Sequence, residues 1–301
     1  MSMIQRLKER FLERFGQDED RFYKQIKEKF SVVGNLVGVT ELVEKAAQLF
    51  SDDIALIDQE RILTYKELYA RALSVSEKLS QVGVKSKDNV LLYCENSIEF
   101  YIFYYAIWLR GAVVVPMNTF LHEKELAYII GDANPSAILT LSSMKPKLET
   151  LVSGGHLAEL APMITEKAIS LGECDKNVKP LGLDELCLLL YTSGTTGKPK
   201  GVMLSSRNVI TNAMQDYARL RMFSKQKERV FAVLPLFHVF AQNTCMWLPL
   251  LTGSSVVVVK KIDRRHITEG LQKNPTLFFG FPALFGLLCL MKTAPLESIK
   301  R

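Results

Sequence analysis

Residues 185–201 read Glu185-Leu-Cys-Leu-Leu-Leu-Tyr191 and then Thr192-Ser-Gly-Thr-Thr-Gly-Lys-Pro-Lys-Gly201. The first part is an apolar run of strand length, and such a run marks a strand buried on both faces, as in a parallel sheet covered by helices. The second part packs four hydroxyl residues, three glycines and two lysines into ten positions. It stands at the carboxyl end of the strand, where open α/β sheets bind ligands. Gly194, Gly197 and Gly201 let the backbone turn and approach a ligand closely, the hydroxyls of Thr192, Ser193, Thr195 and Thr196 suit phosphate oxygens, and Lys198 and Lys200 supply positive charge. The spacing is not that of a Walker A loop. Only two residues separate Gly194 from Gly197, and Pro199 stands where Ser or Thr would hold magnesium. Gly, Ser, Thr, Pro and Lys also fill ordinary surface loops, so composition by itself leaves both readings open.

Outward from this segment, strand-like and helix-like runs alternate. Thr64-Tyr-Lys-Glu67 is a capping box, followed by Leu68, Ala72, Val75 and Leu79 on one helical face and stopped at Gly83. Strands are expected over 89–94, 112–115 and 137–141, with helices over about 97–109 and 123–130, the latter ended by Gly131. After a less regular stretch, 142–182, further strands fall at 185–191, 229–234, 254–259 and 276–279. The fold class is α/β, with mostly parallel sheets covered by helices.

The chain has 301 residues, 48% hydrophobic and 23% charged, which excludes disorder and low-complexity architecture. Ile4, Leu7, Phe11 and Phe15, then Phe22, Ile26 and Phe30, predict two amphipathic helices in a 1–37 extension; packing on the body and a peripheral membrane or partner contact are the two readings. Val230–Val259 carries no charged residue and exceeds the roughly 20 residues that span a bilayer. Pro235, His238, Gln242, Asn243, Pro249 and Gly253 interrupt it, so it reads as strand, helix and strand rather than a membrane span. The net charge of +6 is uneven: from Cys187 onward there are 16 Lys and Arg against 5 Asp and Glu. No motif accompanies this charge that would make nucleic acid the partner; a phosphate-bearing small molecule or solvated surface accounts for it. Cys94, Cys174, Cys187, Cys245 and Cys289 are scattered without a C-x-x-C pair and read as reduced core thiols of a cytoplasmic protein. His122, His156 and His266 have no partner at metal-ligand spacing, so no protein-built metal site is expected.

The order of residues 191–202, Tyr-Thr-Ser-Gly-Thr-Thr-Gly-Lys-Pro-Lys-Gly-Val, resembles the signature loop of the AMP-forming adenylating superfamily, which includes acyl- and aryl-CoA synthetases. Leu63-Thr-Tyr-Lys-Glu-Leu68, Gly111-Ala-Val-Val-Val-Pro116, Pro235-Leu-Phe-His238 and Gly280-Phe-Pro282 fit the same resemblance, which covers about residues 38–301. It departs from the family pattern at Ser206, where a histidine is common, and at Phe281, where valine is common.

The resemblance implies activation of a carboxylic acid, with a fatty acid weakly favoured, by ATP and its Mg2+ to acyl-AMP, and then transfer to a thiol, that of coenzyme A or of a carrier protein. It places Thr192 to Lys198 and Lys200 on the ATP phosphates, makes Lys200 and His238 the catalytic candidates, and puts Phe237, His238, Gly280 and Phe281 on the acyl group. The aromatic stretches 278–285 and 237–247 line a greasy acyl tunnel or are simply core. The expected organisation is 1–37, a first α/β subdomain over 38–182, and a second over 183–301 that stops before the family's adenine-binding motifs. The expectation is therefore an incomplete N-terminal domain of an acyl-adenylating enzyme, weak or inactive alone; the alternative is a non-enzymatic remnant or a split-enzyme subunit whose second chain supplies the missing part.

Overall fold

The computed structural model describes residues 36–171, 179–193, 198–220, 227–291 and 299. The helices expected over 1–35 and Cys174 lie outside the described residues. Gly38–Arg301 forms one compact unit, separate from Met1–Val37.

The unit holds two sheets. The chain begins with α1 (Val39–Leu49), the hairpin β1 (Ile54–Ile57) and β2 (Ile62–Thr64), and α2 (Tyr65–Gln81). Then β3 (Asn89–Tyr93), α3 (Ile98–Leu109), β4 (Val113–Pro116), α4 (Glu123–Ala133), β5 (Ala137–Thr140), α5 (Lys145–Ser153) and β6 (Met163–Ile164) alternate. β7 (Leu186–Thr192) and β8 (Lys200–Ser205) precede α6 (Ser206–Leu220) and β9 (Arg229–Ala232). A helical run of α7 (Val239–Gln242), a π-helical turn (Asn243–Trp247) and α8 (Leu248–Thr252) leads to β10 (Ser255–Val258), α9 (Arg264–Leu271), β11 (Leu277–Phe278) and α10 (Pro282–Leu290).

The six-stranded sheet has the order β6-β5-β3-β4-β7-β8 and the five-stranded sheet the order β11-β9-β10-β1-β2. All neighbouring pairs are parallel except the hairpins β7–β8 and β1–β2, which form one edge of each sheet. The apolar runs read as parallel strands are all present. The two antiparallel edge strands were not foreseen, because β8 is short, mostly exposed and begins within the Gly-rich loop sequence. The strands also interleave. β1 pairs with β10, and β7 pairs with β4, so the sheets do not part at residues 182/183.

Local chemistry sets the element ends. Thr64 Oγ1 accepts from Glu67 N at 3.2 Å while Glu67 Oε2 accepts from Thr64 N at 2.9 Å, the reciprocal bonds of a capping box. α4 passes through Gly131 and ends one turn later at Asn134, which takes the left-handed conformation at φ 42°, so Gly131 is not its stop. Gly253 ends α8 at φ 68°, and a Cβ there would lie 2.5 Å from Phe50 Cδ1; glycine meets both demands.

The core is organised around α3. All of Ile98–Leu109 apart from Glu99 is buried, so this helix has no solvent face and its tyrosines need internal partners. The neighbouring helical run supplies them. Pro249 has no N–H to offer Cys245 O four residues back, and Tyr101 Oη donates to that carbonyl at 3.1 Å. Tyr105 Oη donates to Met246 O at 3.3 Å, Tyr104 Oη to Gln242 Oε1 at 3.0 Å, and Trp247 Nε1 to Tyr104 Oη at 3.2 Å. On the side of the six-stranded sheet, Trp108 Nε1 donates to Cys187 O on β7 at 3.0 Å. The charge-free stretch 230–259 is therefore strand, helix and strand around an aromatic helix, and no helix among the described residues is long and apolar enough to cross a membrane. Cys94, Cys187 and Cys245 are buried, and burial pushes the thiols of Cys187 and Cys245 up to about 12. Cys289 is exposed on α10, contrary to the expectation of a core thiol.

Asn96, which follows β3, ties the two sheets together. Its Nδ2 donates to Leu234 O at 2.9 Å and Val259 O at 3.2 Å, and its Oδ1 accepts from Leu236 N at 2.8 Å. Asn96→Ala leaves three buried backbone groups without these partners and is expected to cost about 2–4 kcal/mol of stability, measured by urea denaturation.

Candidate active site

The parallel strands carry loops at their carboxyl ends, among them 94–97 after β3, 117–122 after β4, 233–238 after β9, 259–263 after β10 and 279–281 after β11, and residues of the first four line one cavity. Asn96 joins the first of these to the loops after β9 and β10.

The phosphate-type loop is a hairpin connection. Thr192 pairs with Lys200 across the antiparallel ladder, so Lys200 is the first residue of β8 rather than a loop residue. Thr192, Ser193, Lys198 and Lys200 are exposed. Gly194, Thr195, Thr196 and Gly197 lie outside the described residues. Among the described residues neither Lys198 nor Lys200 forms an ion pair. Lys198 Nζ sits 5.9 Å from the centroid of the Tyr128 ring on α4. Next to the loop, Tyr191 Oη donates to Asp132 Oδ2 at 2.5 Å, and burial together with that carboxylate raises the phenol well above its usual value.

Phe237 and His238 stand at the start of α7. Their rings lie 4.5 Å apart, and Phe237 meets Phe120 of the loop after β4 edge-on at 6.1 Å. Gln242 Nε2 donates to Phe237 O at 3.2 Å, so the side chain that receives Tyr104 also fixes this corner. Asn96, Phe120, Pro235, Phe237, Lys260 and Lys261 line a cavity of about 380 Å3 beside it. A second cavity of about 280 Å3 lies against the β1–β2 hairpin and α9; its Arg61 pairs with Asp58 and Glu99, and its Lys260 with Glu95.

Gly280 and Phe281 follow β11. A Cβ at Gly280 would stand 2.9 Å from Phe278 Cζ, so the close ring packing there requires glycine. Phe279 meets Phe240 edge-on at 6.3 Å, which brings the loops after β9 and β11 together. Within the aromatic stretches Trp247 is core, whereas Phe240, Phe281 and Phe285 are exposed. Among the described residues no hydrogen bond or ion pair joins Lys198 or Lys200 to His238. Nor does any cluster of three or more His, Cys, Asp and Glu among them form a metal site. Asn96, Phe120 and Asp132 were missed from the sequence, although the position of Asn96 just beyond an apolar strand was a usable signal.

The two-sheet α/β body carries a cavity between its strand-end loops and a basic hairpin with no ion pair among the described residues, the frame of a ligand-binding domain. The chain belongs to the AMP-binding enzyme family, whose model matches residues 43–300. It is 28% identical over 257 residues to the mitochondrial malonate–CoA ligase of Mus musculus, covering 80% of this chain and 43% of that protein. It is 28% identical over 284 residues to the long-chain-fatty-acid–CoA ligase of Bacillus subtilis, covering 82% and 50%. Among solved structures it is similar to o-succinylbenzoate coenzyme A synthetase of Bacillus subtilis in complex with AMP, at 25% identity and a TM-score of 0.74, covering 86% of this chain and 65% of that one. The chain spans about half the length of these curated relatives.

Desolvation against its neighbours lowers the His238 imidazole below its ordinary range. The neutral ring is therefore favoured in the folded state, and the stability it contributes is present above the unfolded value of about 6.5 and lost as pH falls through it toward the lower folded value. An NMR titration is expected to place His238 below a peptide histidine; an ordinary or raised value contradicts this packing.

Proposed function

We propose that the chain carries the phosphate loop and acyl-positioning part of an AMP-forming acid–thiol ligase. In the first step a carboxylate oxygen attacks the α-phosphorus of ATP, the bond to the bridging oxygen breaks, and pyrophosphate leaves with that electron pair. In the second, the thiol sulfur of coenzyme A attacks the acyl carbon, loses its proton and expels AMP. The observation that carries this reading is the pair of exposed lysines, without carboxylate partners among the described residues, at the carboxyl end of a parallel strand in a family member. Such a donor set fits a polyphosphate: Lys198 and Lys200 offset charge that grows on pyrophosphate as it departs, with Mg2+ arriving on ATP. His238 and Phe237 orient the acyl end, with Gly280 and Phe281 on the neighbouring loop.

A fatty acid is the proposed substrate, supported by the exposed aromatic groups Phe240, Phe281 and Phe285 near the loops. The 301 residues, which span about half the length of the curated relatives, are proposed to be weakly active at most by themselves. The proposed setting is cytoplasmic.

The test is fatty-acid-dependent exchange of labelled pyrophosphate into ATP by the 301-residue chain. Slow exchange is expected, reduced by about 10- to 100-fold in Lys200→Ala, as loss of a solvent-screened charge on a leaving group implies. Absence of exchange, with the chain recovered folded, favours the non-enzymatic or split-enzyme alternative.

A further inference from the structure

Both ends of the loop between β7 and β8 reach the same face of α4. On the β7 side, Tyr191 Oη donates to Asp132 Oδ2 at 2.5 Å. On the β8 side, Lys198 Nζ lies 5.9 Å from the Tyr128 ring centroid. Tyr128 and Asp132 are four residues apart on α4, so their side chains lie one above the other on one helical face. The raised Tyr191 phenol remains a neutral donor, which keeps the bond to Asp132 in place and fixes one end of the loop. Asp132 is engaged by that hydroxyl and by no lysine or arginine among the described residues.

We propose that the Tyr128 ring is a positioning element for Lys198, holding its ammonium against α4 in a state ready to receive a polyphosphate. The inference rests on the phosphate-binding reading above and adds a residue from outside the loop to it. An aromatic face suits the task better than a carboxylate. It attracts the ammonium through its quadrupole but leaves the net charge and the N–H donors available. A carboxylate would neutralise the charge, and the incoming anion would have to break an ion pair. The ring also restricts a long, flexible side chain before the ligand arrives, so less rotamer freedom is lost on binding. The role belongs to the ring and not to the Tyr128 hydroxyl, which separates it from a hydrogen-bonding or merely space-filling function.

The experiment uses the whole chain with inorganic tripolyphosphate as probe, by calorimetry, and NMR of 13C-lysine-labelled protein, with Lys198 assigned through Lys198→Met. In the free protein the Lys198 ε-methylene is expected upfield, shifted by the ring current, in wild type and Tyr128→Phe but not in Tyr128→Leu. Tripolyphosphate is expected to bind about two- to fivefold more weakly to Tyr128→Leu, the range implied by an exposed cation–π contact, and unchanged to Tyr128→Phe. In a Lys198→Met background Tyr128→Leu is expected to add nothing. The proposal is overturned by a missing ring-current shift, by Tyr128→Leu binding as tightly as wild type or tighter, or by Tyr128→Phe binding as weakly as Tyr128→Leu. A ring-current shift without any tripolyphosphate binding by wild type sinks the phosphate reading and this inference with it; binding that ignores Tyr128 sinks this inference alone.

Discussion

The burial of α3 is the constraint on which the rest of the structure depends. A helix reading Ile-Glu-Phe-Tyr-Ile-Phe-Tyr-Tyr-Ala-Ile-Trp-Leu brings three phenols and an indole N–H into a region that excludes water, where each unpaired polar atom would be costly. The cost is avoided because the helical run after β9 is irregular. Pro249 offers no N–H to Cys245 O, and the tyrosines of α3 donate to the carbonyls of Cys245 and Met246.

The candidate site inherits its geometry from that exchange. Gln242 receives Tyr104 with one end of its amide and holds the Phe237 carbonyl with the other, so the aromatic corner at Phe237 and His238 is referred to the buried helix rather than to solvent. Asn96 does the same for the loops after β3, β9 and β10. The basic hairpin is anchored differently, through Trp108 to the backbone of β7 and through Tyr191 to α4. Rigid stems therefore carry exposed lysines that have no ion pair among the described residues, an arrangement suited to holding a charged ligand with little reorganisation.

Much of this was legible in the residues. The apolar runs at 89–94, 137–141 and 229–234 declared buried parallel strands, and Thr64 with Glu67 declared the start of α2. The hairpin loop was recognisable because its glycines, hydroxyls and lysines stand in a distinctive order. β2 and β8 were not legible: three and six residues long and partly exposed, they carry too little pattern, and pairing with a distant or adjacent strand defines them. Asp132 and Tyr128 looked like ordinary surface positions of α4 until the fold brought Tyr191 and Lys198 to them.

The sequence by itself determined which segments are strands and helices, where the anion-attracting charge is concentrated, and the family. Those properties are local, set by period, capping and residue order. Only the tertiary structure decided that β1 and β2 cross to the second sheet, that Lys200 belongs to a strand, and that Asn96 and Gln242 bind the two halves of the site together. These facts depend on contacts between residues far apart in the chain, where what matters is which buried polar group finds a partner, and no local pattern encodes that.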